Sequence, residues 1–230
     1  MSLAAFELAL LFTATAFVFS AMGFAHPEPA VQYHEYSFPN LVVEVLGHFV
    51  FGFAGSILLL DLGMSLLVGA LAVLIDVDHL LASVGFAVGG RPDHSIAFAV
   101  VAGAVLYVSA KRLRVRSDAT KMAFAGFIVV LSHVSYDVFS SLYVEPGIGE
   151  GFPVLTPFSF QYYYLPGYSW VLLEVLAVLV GLSATLAVRH RLSSPPAGSA
   201  PSSDFPEPKP APSGSGPVSM TEGFSVGSSR

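Results

Sequence analysis

Apolar residues along this chain run in long unbroken blocks instead of alternating. Six blocks read as helices crossing a bilayer: 3–24, 41–60, 63–86, 94–110, 122–144 and 169–188. A spanning helix needs roughly 20 predominantly apolar residues. The breaks between blocks carry turn residues: His26-Pro27-Glu28-Pro29 after the first, Asp61-Leu62-Gly63 between the second and third, and Gly89-Gly90-Arg91-Pro92-Asp93 before the fourth. The third block holds Asp76, Asp78 and His79, so its helix is expected to stop near Ile75 or to continue along the interface. The first block has the length of a secretory signal, and Ala25-His26-Pro27 keeps cleavage open. Its opening stretch has Glu7 and no Lys or Arg, however, and the absence of a basic start favours a retained helix.

Composition sharpens this to an integral membrane protein. Of 230 residues, 54% are hydrophobic and 11% charged, with a mean hydropathy of +0.70. A soluble domain carries about 25% charged residues. Between 41 and 110 the charged residues are Glu44, Asp61, Asp76, Asp78, Arg91 and Asp93 alone. The expected fold class is therefore all-α, a polytopic transmembrane helix bundle over 1–192. The stretch 193–230 is rich in Pro, Ser and Gly, cannot offset the entropy of ordering, and is expected to be a disordered tail. Lacking cysteine, the chain has no disulfides, thiolate metal sites or cysteine nucleophile. A net charge of −6 excludes a nucleic-acid footprint, and the bilayer is the partner that composition implies.

Basic residues orient such a bundle. Lys111, Arg112, Arg114, Arg116 and Lys121 fall in one loop, and Arg189 and Arg191 flank the end of the last block. Six spans let both clusters lie in the cytoplasm, with both termini there and 25–40, 87–93 and 145–168 outside.

Ionisable groups inside spans cost about 2.5–3.5 kcal/mol each on insertion scales and are functional candidates by default. Here they are Glu44, His48, Asp76, Asp78, His79, His94, His133, Asp137 and Glu174, and no Lys or Arg lies deep in a span to neutralise the carboxylates. Mutual protonation, hydrogen bonding or a bound cation must do so. Spacing favours the cation. His133 and Asp137 are four residues apart, as are Glu44 and His48, and Asp76 and His79 are three apart, so each pair shares a helix face. With the basic loops inside, all of these groups fall toward the outer side of the membrane. Imidazole and carboxylate drawn from facing helices build metal sites in bundles, and that donor mix suits zinc first, with iron, manganese or nickel also compatible. The expected ligands are His48, Asp76, His79, His94, His133 and Asp137.

Each residue also has a plainer role. A single buried histidine is ordinarily a hydrogen-bonded packing residue. Glu44 and Glu174 lie close enough to the interface to be solvated, Asp93 can cap the following helix, and Asp61 can serve a turn. Arg91 fits the headgroup region or a phosphate, and Tyr162-Tyr163-Tyr164 with Trp170 suits the aromatic boundary.

In combination these motifs resemble the membrane-bound metal-dependent hydrolase-like family of bacteria and archaea, whose bacterial members include a LexA-regulated inner-membrane protein. Ile75-Asp76-Val77-Asp78-His79 is similar to the family's D-x-D-H element and Asp93-His94-Ser95 to the end of its H-R-G-x-T-H-S element. The run 132–137 is similar to its H-x-x-x-D helix, 151–159 to the glycine-to-proline segment that follows, and 46–49 to the early histidine helix. The first His and the Thr of H-R-G-x-T-H-S are absent here. The resemblance implies a prokaryotic plasma membrane, one or two divalent metals and a hydrolase, and the depth of the site toward the outer face favours a lipid or other amphiphile as substrate. Asp78 or Glu44 would orient or deprotonate the attacking water, with 144–168 as a cover. Two other readings stay open from the residues: a proton or metal-ion transporter, and a structural metal that fixes helix packing.

Overall fold

A computed structural model describes residues 3–23, 38–76, 91–115, 118–144 and 150–193. The described chain is all-α apart from one short hairpin. Its helices are α1 (Leu3–Met22), α2 (Phe38–Gly55), α3 (Leu62–Val73), α4 (Ile96–Arg112), α5 (Ala119–Val144) and α6 (Ser169–Ser193). Strands β1 (Glu150–Phe152) and β2 (Tyr163–Leu165) pair antiparallel between α5 and α6. Single 3₁₀ turns cover Ile57–Leu59, Leu74–Asp76 and Pro92–His94.

Four helical segments are long and apolar enough to cross a membrane: Leu3–Met22, Leu41–Leu59, Ala119–Leu142 and Ser169–Ser193. Among the described residues the other two expected spans are covered by shorter helices. The α3 helix stops at Val73, and its 3₁₀ extension ends at Asp76, close to the predicted break at Ile75. Helix α4 has 17 residues. Ser193 ends α6, and the rest of the expected tail, 194–230, lies outside the described residues, as do 24–37, 77–90 and 145–149.

Helix boundaries follow local chemistry. The Asp61 carboxylate accepts from the backbone N–H of Met64 at 3.1 Å, so the expected turn residue is the N-cap of α3. Ser95, not Asp93, caps α4, accepting from Phe98 N at 3.1 Å. Helix α2 ends at Gly55, and the Ser56 hydroxyl turns back to Gly52 O at 2.8 Å. Lys111 and Arg112 close α4, at the negative end of its dipole.

Helix α5 is the hub. Its spanning window is 72% buried, against 28%, 22% and 28% for those of the other three long segments. It packs on α2, α3, α4 and α6, while α1 lies against α4 and α3. Phe12 and Phe19 of α1 sit edge-on to Phe98 at 5.6 and 5.2 Å. Helix α6 turns Leu172, Val175, Leu179 and Leu186 outward, a face suited to lipid.

Two glycine contacts set how closely the backbones approach. A Cβ on Gly52 of α2 would stand 3.0 Å from the Gly69 Cα of α3, and one on Gly126 of α5 would overlap the Gly103 backbone of α4. Small residues at such crossings let van der Waals packing hold helices together where lipid removes the hydrophobic incentive. These contacts carry α3 against α2 and α4 against the hub, so that short polar side chains can meet across them.

Candidate metal centre

Five of the eight sequence candidates for metal or catalytic roles converge on one point, and each arrives for a local reason. His133 and Asp137 project from the same face of α5, one turn apart. His48 comes from α2, and its ring stacks on that of His133 with centroids 4.1 Å apart and planes 10° from parallel. Asp76 enters because α3 ends early and the 3₁₀ turn swings the carboxylate inward. His94 closes the 3₁₀ turn before α4. That turn begins at Arg91, whose backbone is left-handed at φ 37° and ψ 54°, a strained conformation of the kind that collects at functional sites.

His48 Nε2 lies 2.9 Å from Asp76 Oδ2 and 3.4 Å from Asp137 Oδ1. His94 Nε2 is 3.2 Å from Asp137 Oδ2. His133 Nε2 is 3.4 Å from Asp76 Oδ1 and 3.6 Å from Asp137 Oδ2. Two overlapping donor sets result: His48, His133 and Asp137, and Asp76, His94 and His133, with the ligand atoms of each set within 4.8 Å of one another. Either set can hold a metal ion.

The reverse sides of the rings decide which lone pairs face inward. His133 Nδ1 is 2.8 Å from the Ala72 carbonyl, which can only accept, so Nδ1 carries the proton. Ala72 lies in the last turn of α3, where carbonyls lack an intrahelical partner. His94 Nδ1 donates to Asp93 Oδ1 at 2.9 Å, and Asp93 Oδ2 accepts from the Ser20 hydroxyl of α1 at 2.7 Å. Neutral His94 and His133 therefore aim bare Nε2 atoms at each other, and these stand 2.9 Å apart. Two lone pairs at that separation repel unless a positive charge lies on or between them. Imidazoles anchored through Nδ1 to a carboxylate and a carbonyl are the arrangement that orients histidine toward a metal.

The imidazoles are sealed, with His48 2% exposed and His94 and His133 0%. The carboxylate edge is more open: the Asp76 side chain is 16% exposed, and Glu44, 3.8 Å from His48 Nε2, is 26% exposed. Arg91 does not reach out to headgroups as expected from sequence. Its Nη1 sits 3.4 Å from Asp137 Oδ2, on the oxygen that also faces His94 and His133. Asp78 and His79 lie outside the described residues.

Four contributors were not among the sequence candidates for metal or catalytic roles. Ser20 lies on α1, far from the motifs in sequence, and the Ala72 contribution is a backbone carbonyl. Tyr136 stands between His133 and Asp137, which was a visible hint. Its ring packs edge-on against His48 at 4.5 Å, and its hydroxyl donates to Val43 O at 3.2 Å. Phe152 of β1 is buried and stacks over His94 at 5.7 Å, while Ile96 N bonds Val154 O at 3.0 Å, so part of the 144–168 segment does lie against the centre. Trp170 packs with Phe51 and Phe139. Comparison with protein families, with curated proteins and with solved structures gives no match for this chain.

Proposed function

We propose that this protein is a metal-dependent hydrolase of a prokaryotic cell membrane, with His48, Asp76, His94, His133 and Asp137 as its metal ligands and zinc as the favoured ion. The observation that carries the reading is the pair of Nε2 lone pairs aimed at one another, with two carboxylates around them and the Arg91 guanidinium on Asp137. A divalent ion there supplies Lewis acidity and a water that ionises near pH 7.

The chain's own residues divide the remaining work. Asp93 and the Ala72 carbonyl hold two imidazoles in the metal-binding tautomer. Arg91 balances Asp137, so that fewer uncompensated carboxylates crowd the point. Glu44, at the open edge, is placed to accept a proton from an incoming water. The imidazoles are sealed below that edge, so substrate enters from the Glu44 and Asp76 side. Apolar helix faces surrounding the bundle favour a lipid or another amphiphile. Six spans with both termini in the cytoplasm remain the topology that the basic residues support.

Elemental analysis of the detergent-purified protein tests the reading. Near-stoichiometric zinc, manganese or iron is expected in the wild type and is expected to be lost in both His133→Ala and Asp76→Ala. Wild-type protein that holds no metal after reloading overturns it. In the metal-loaded protein, Glu44→Gln is expected to keep the ion and lose turnover of amphiphilic ester or phosphoester substrates.

A further inference from the structure

The sequence places the connection between α5 and α6 outside the membrane, as a cover. Its hairpin has two unlike faces. Phe152 stands opposite Tyr163 and Gly151 opposite Tyr164, and strand alternation sends these two pairs to opposite faces. Phe152 is buried and stacks over His94 at 5.7 Å. Ile96 N donates to Val154 O at 3.0 Å, and a methyl on Gly167 would overlap the Leu142 side chain, so the segment is docked on α4 and α5. On the other face the rings of Tyr162 and Tyr164 lie over Gly151, where a Cβ would stand 3.3 and 3.1 Å from them.

The exposed side of the segment is aromatic and uncharged. Phe158 is 90% exposed, and Tyr164 and Tyr168 are 70% exposed. A bonded turn holds Phe158 out: the N–H groups of Phe158 and Ser159 donate to Leu155 O at 2.9 and 3.2 Å, and that of buried Thr156 donates to Pro153 O at 3.0 Å. From 151 to 173 the chain has no charged residue. Glu174 ends that run without charging the surface. Where the sequence suggested a solvated group, its carboxylate oxygens are buried and face the Ser132 and Ser135 hydroxyls. Tyr168 leads directly into exposed Val171, Leu172, Val175 and Leu179 of α6, the stripe suited to lipid.

We propose that the segment 151–168 is a membrane-embedded hairpin, its exposed aromatic side lying in the headgroup and upper acyl region of the leaflet nearest the metal centre. Continuity with the α6 stripe names lipid as the occupant, because no charged residue separates the two surfaces. Exposed apolar surface of this extent marks a partner, and tyrosine, with an apolar ring and a polar tip, favours the membrane boundary. The backbone fixes the depth. A sheet of two strands leaves edge N–H and C=O groups that need water or headgroups, so it stays out of the hydrocarbon core. Since Phe152 lies on His94, a hairpin at this level puts the metal centre directly beneath the headgroups. The proposal requires neither a bound metal nor hydrolysis.

The chain has no cysteine, so single nitroxide labels can be attached without other substitutions. Phe158→Cys and Tyr164→Cys, both at exposed positions, are labelled in the full chain and reconstituted in phosphatidylcholine vesicles. Power saturation is then read with oxygen, which concentrates in lipid, and with a water-soluble nickel chelate. Lys111→Cys, in the last turn of α4, and Leu179→Cys, on the exposed stripe of α6, give the aqueous and lipid references. The oxygen-to-nickel accessibility ratio at both hairpin positions is expected to exceed that of Lys111→Cys and to approach that of Leu179→Cys. A ratio no higher than that of Lys111→Cys overturns the proposal and makes the hairpin a water-exposed cover. Poor access of both reagents also overturns it and assigns the face to a protein, such as a second copy of this chain. A second reading uses Phe158→Trp in a Trp170→Phe background, which removes the one native tryptophan. Brominated phosphatidylcholine is expected to quench its fluorescence and aqueous iodide to leave it unchanged; the reverse overturns the proposal.

Discussion

Replacing Asp93 by asparagine isolates the charge behind His94 from the shape that holds it. Asp93 and His94 are fully buried, so solvent does not screen their contact. Asparagine is nearly isosteric. Its oxygen can take the His94 Nδ1 proton at the native 2.9 Å, and its amide can donate to Ser20, whose hydroxyl then bonds the Ala16 carbonyl, already 3.0 Å away. Geometry survives and the negative charge is lost. His94 becomes a poorer ligand, and replacing a partner of this kind typically weakens metal affinity by about 10–100-fold. That corresponds to about 1.4–2.8 kcal/mol. Ser20→Ala removes one donor to the same carboxylate, worth about 0.5–1.5 kcal/mol, and should weaken the metal by about 2–10-fold. Asp93→Ala adds a separate cost, since the buried Nδ1–H loses its acceptor and the fold loses about 1–3 kcal/mol even without metal. Competition against a chromophoric chelator gives the affinities, and thermal unfolding of the stripped proteins gives the stability effect. Wild-type zinc affinity in Asp93→Asn would refute the argument that the carboxylate tunes His94. A larger loss in Ser20→Ala than in Asp93→Asn would refute the chain from α1 through Asp93 to the centre.

Two further predictions follow from packing and linkage. Gly126→Val drives a side chain into the Gly103 backbone of α4; overpacking of this kind costs about 1–3 kcal/mol. A lower melting temperature of the metal-free protein is expected, with reduced zinc affinity because the turn that leads into α4 carries His94. A melting temperature equal to that of the wild type would show that the close approach of α4 and α5 is dispensable. Removing bound metal with EDTA is expected to lower the melting temperature, since a ligand present at a hundredfold over its Kd contributes about 2.7 kcal/mol. Excess zinc should restore it in the wild type and not in His133→Ala; recovery in that variant would place the ion elsewhere.

Much of this was readable from one dimension because hydropathy and helical spacing are local. Blocks of apolar residues made the chain a helical membrane protein, and the four-residue separation of His133 and Asp137 put them on one face whatever else surrounds α5. Asp76 also announced itself, as a carboxylate where a span should continue. The chain alone established the class, the approximate helices and the chemical type of the donors. Tertiary structure decided which donors meet and what stands behind them. His94 reaches His133 across 39 residues, and Ser20 reaches Asp93 across 73. Those meetings depend on glycine contacts between helices, where the signal is the absence of a side chain and has no periodicity to reveal it. The Ala72 carbonyl gave no sign because every residue has one, and only the end of α3 leaves this one available to His133. Glu174 shows the same limit in reverse. Its position near a helix end suggested solvent, and packing of α2 and α5 against α6 removed it from water.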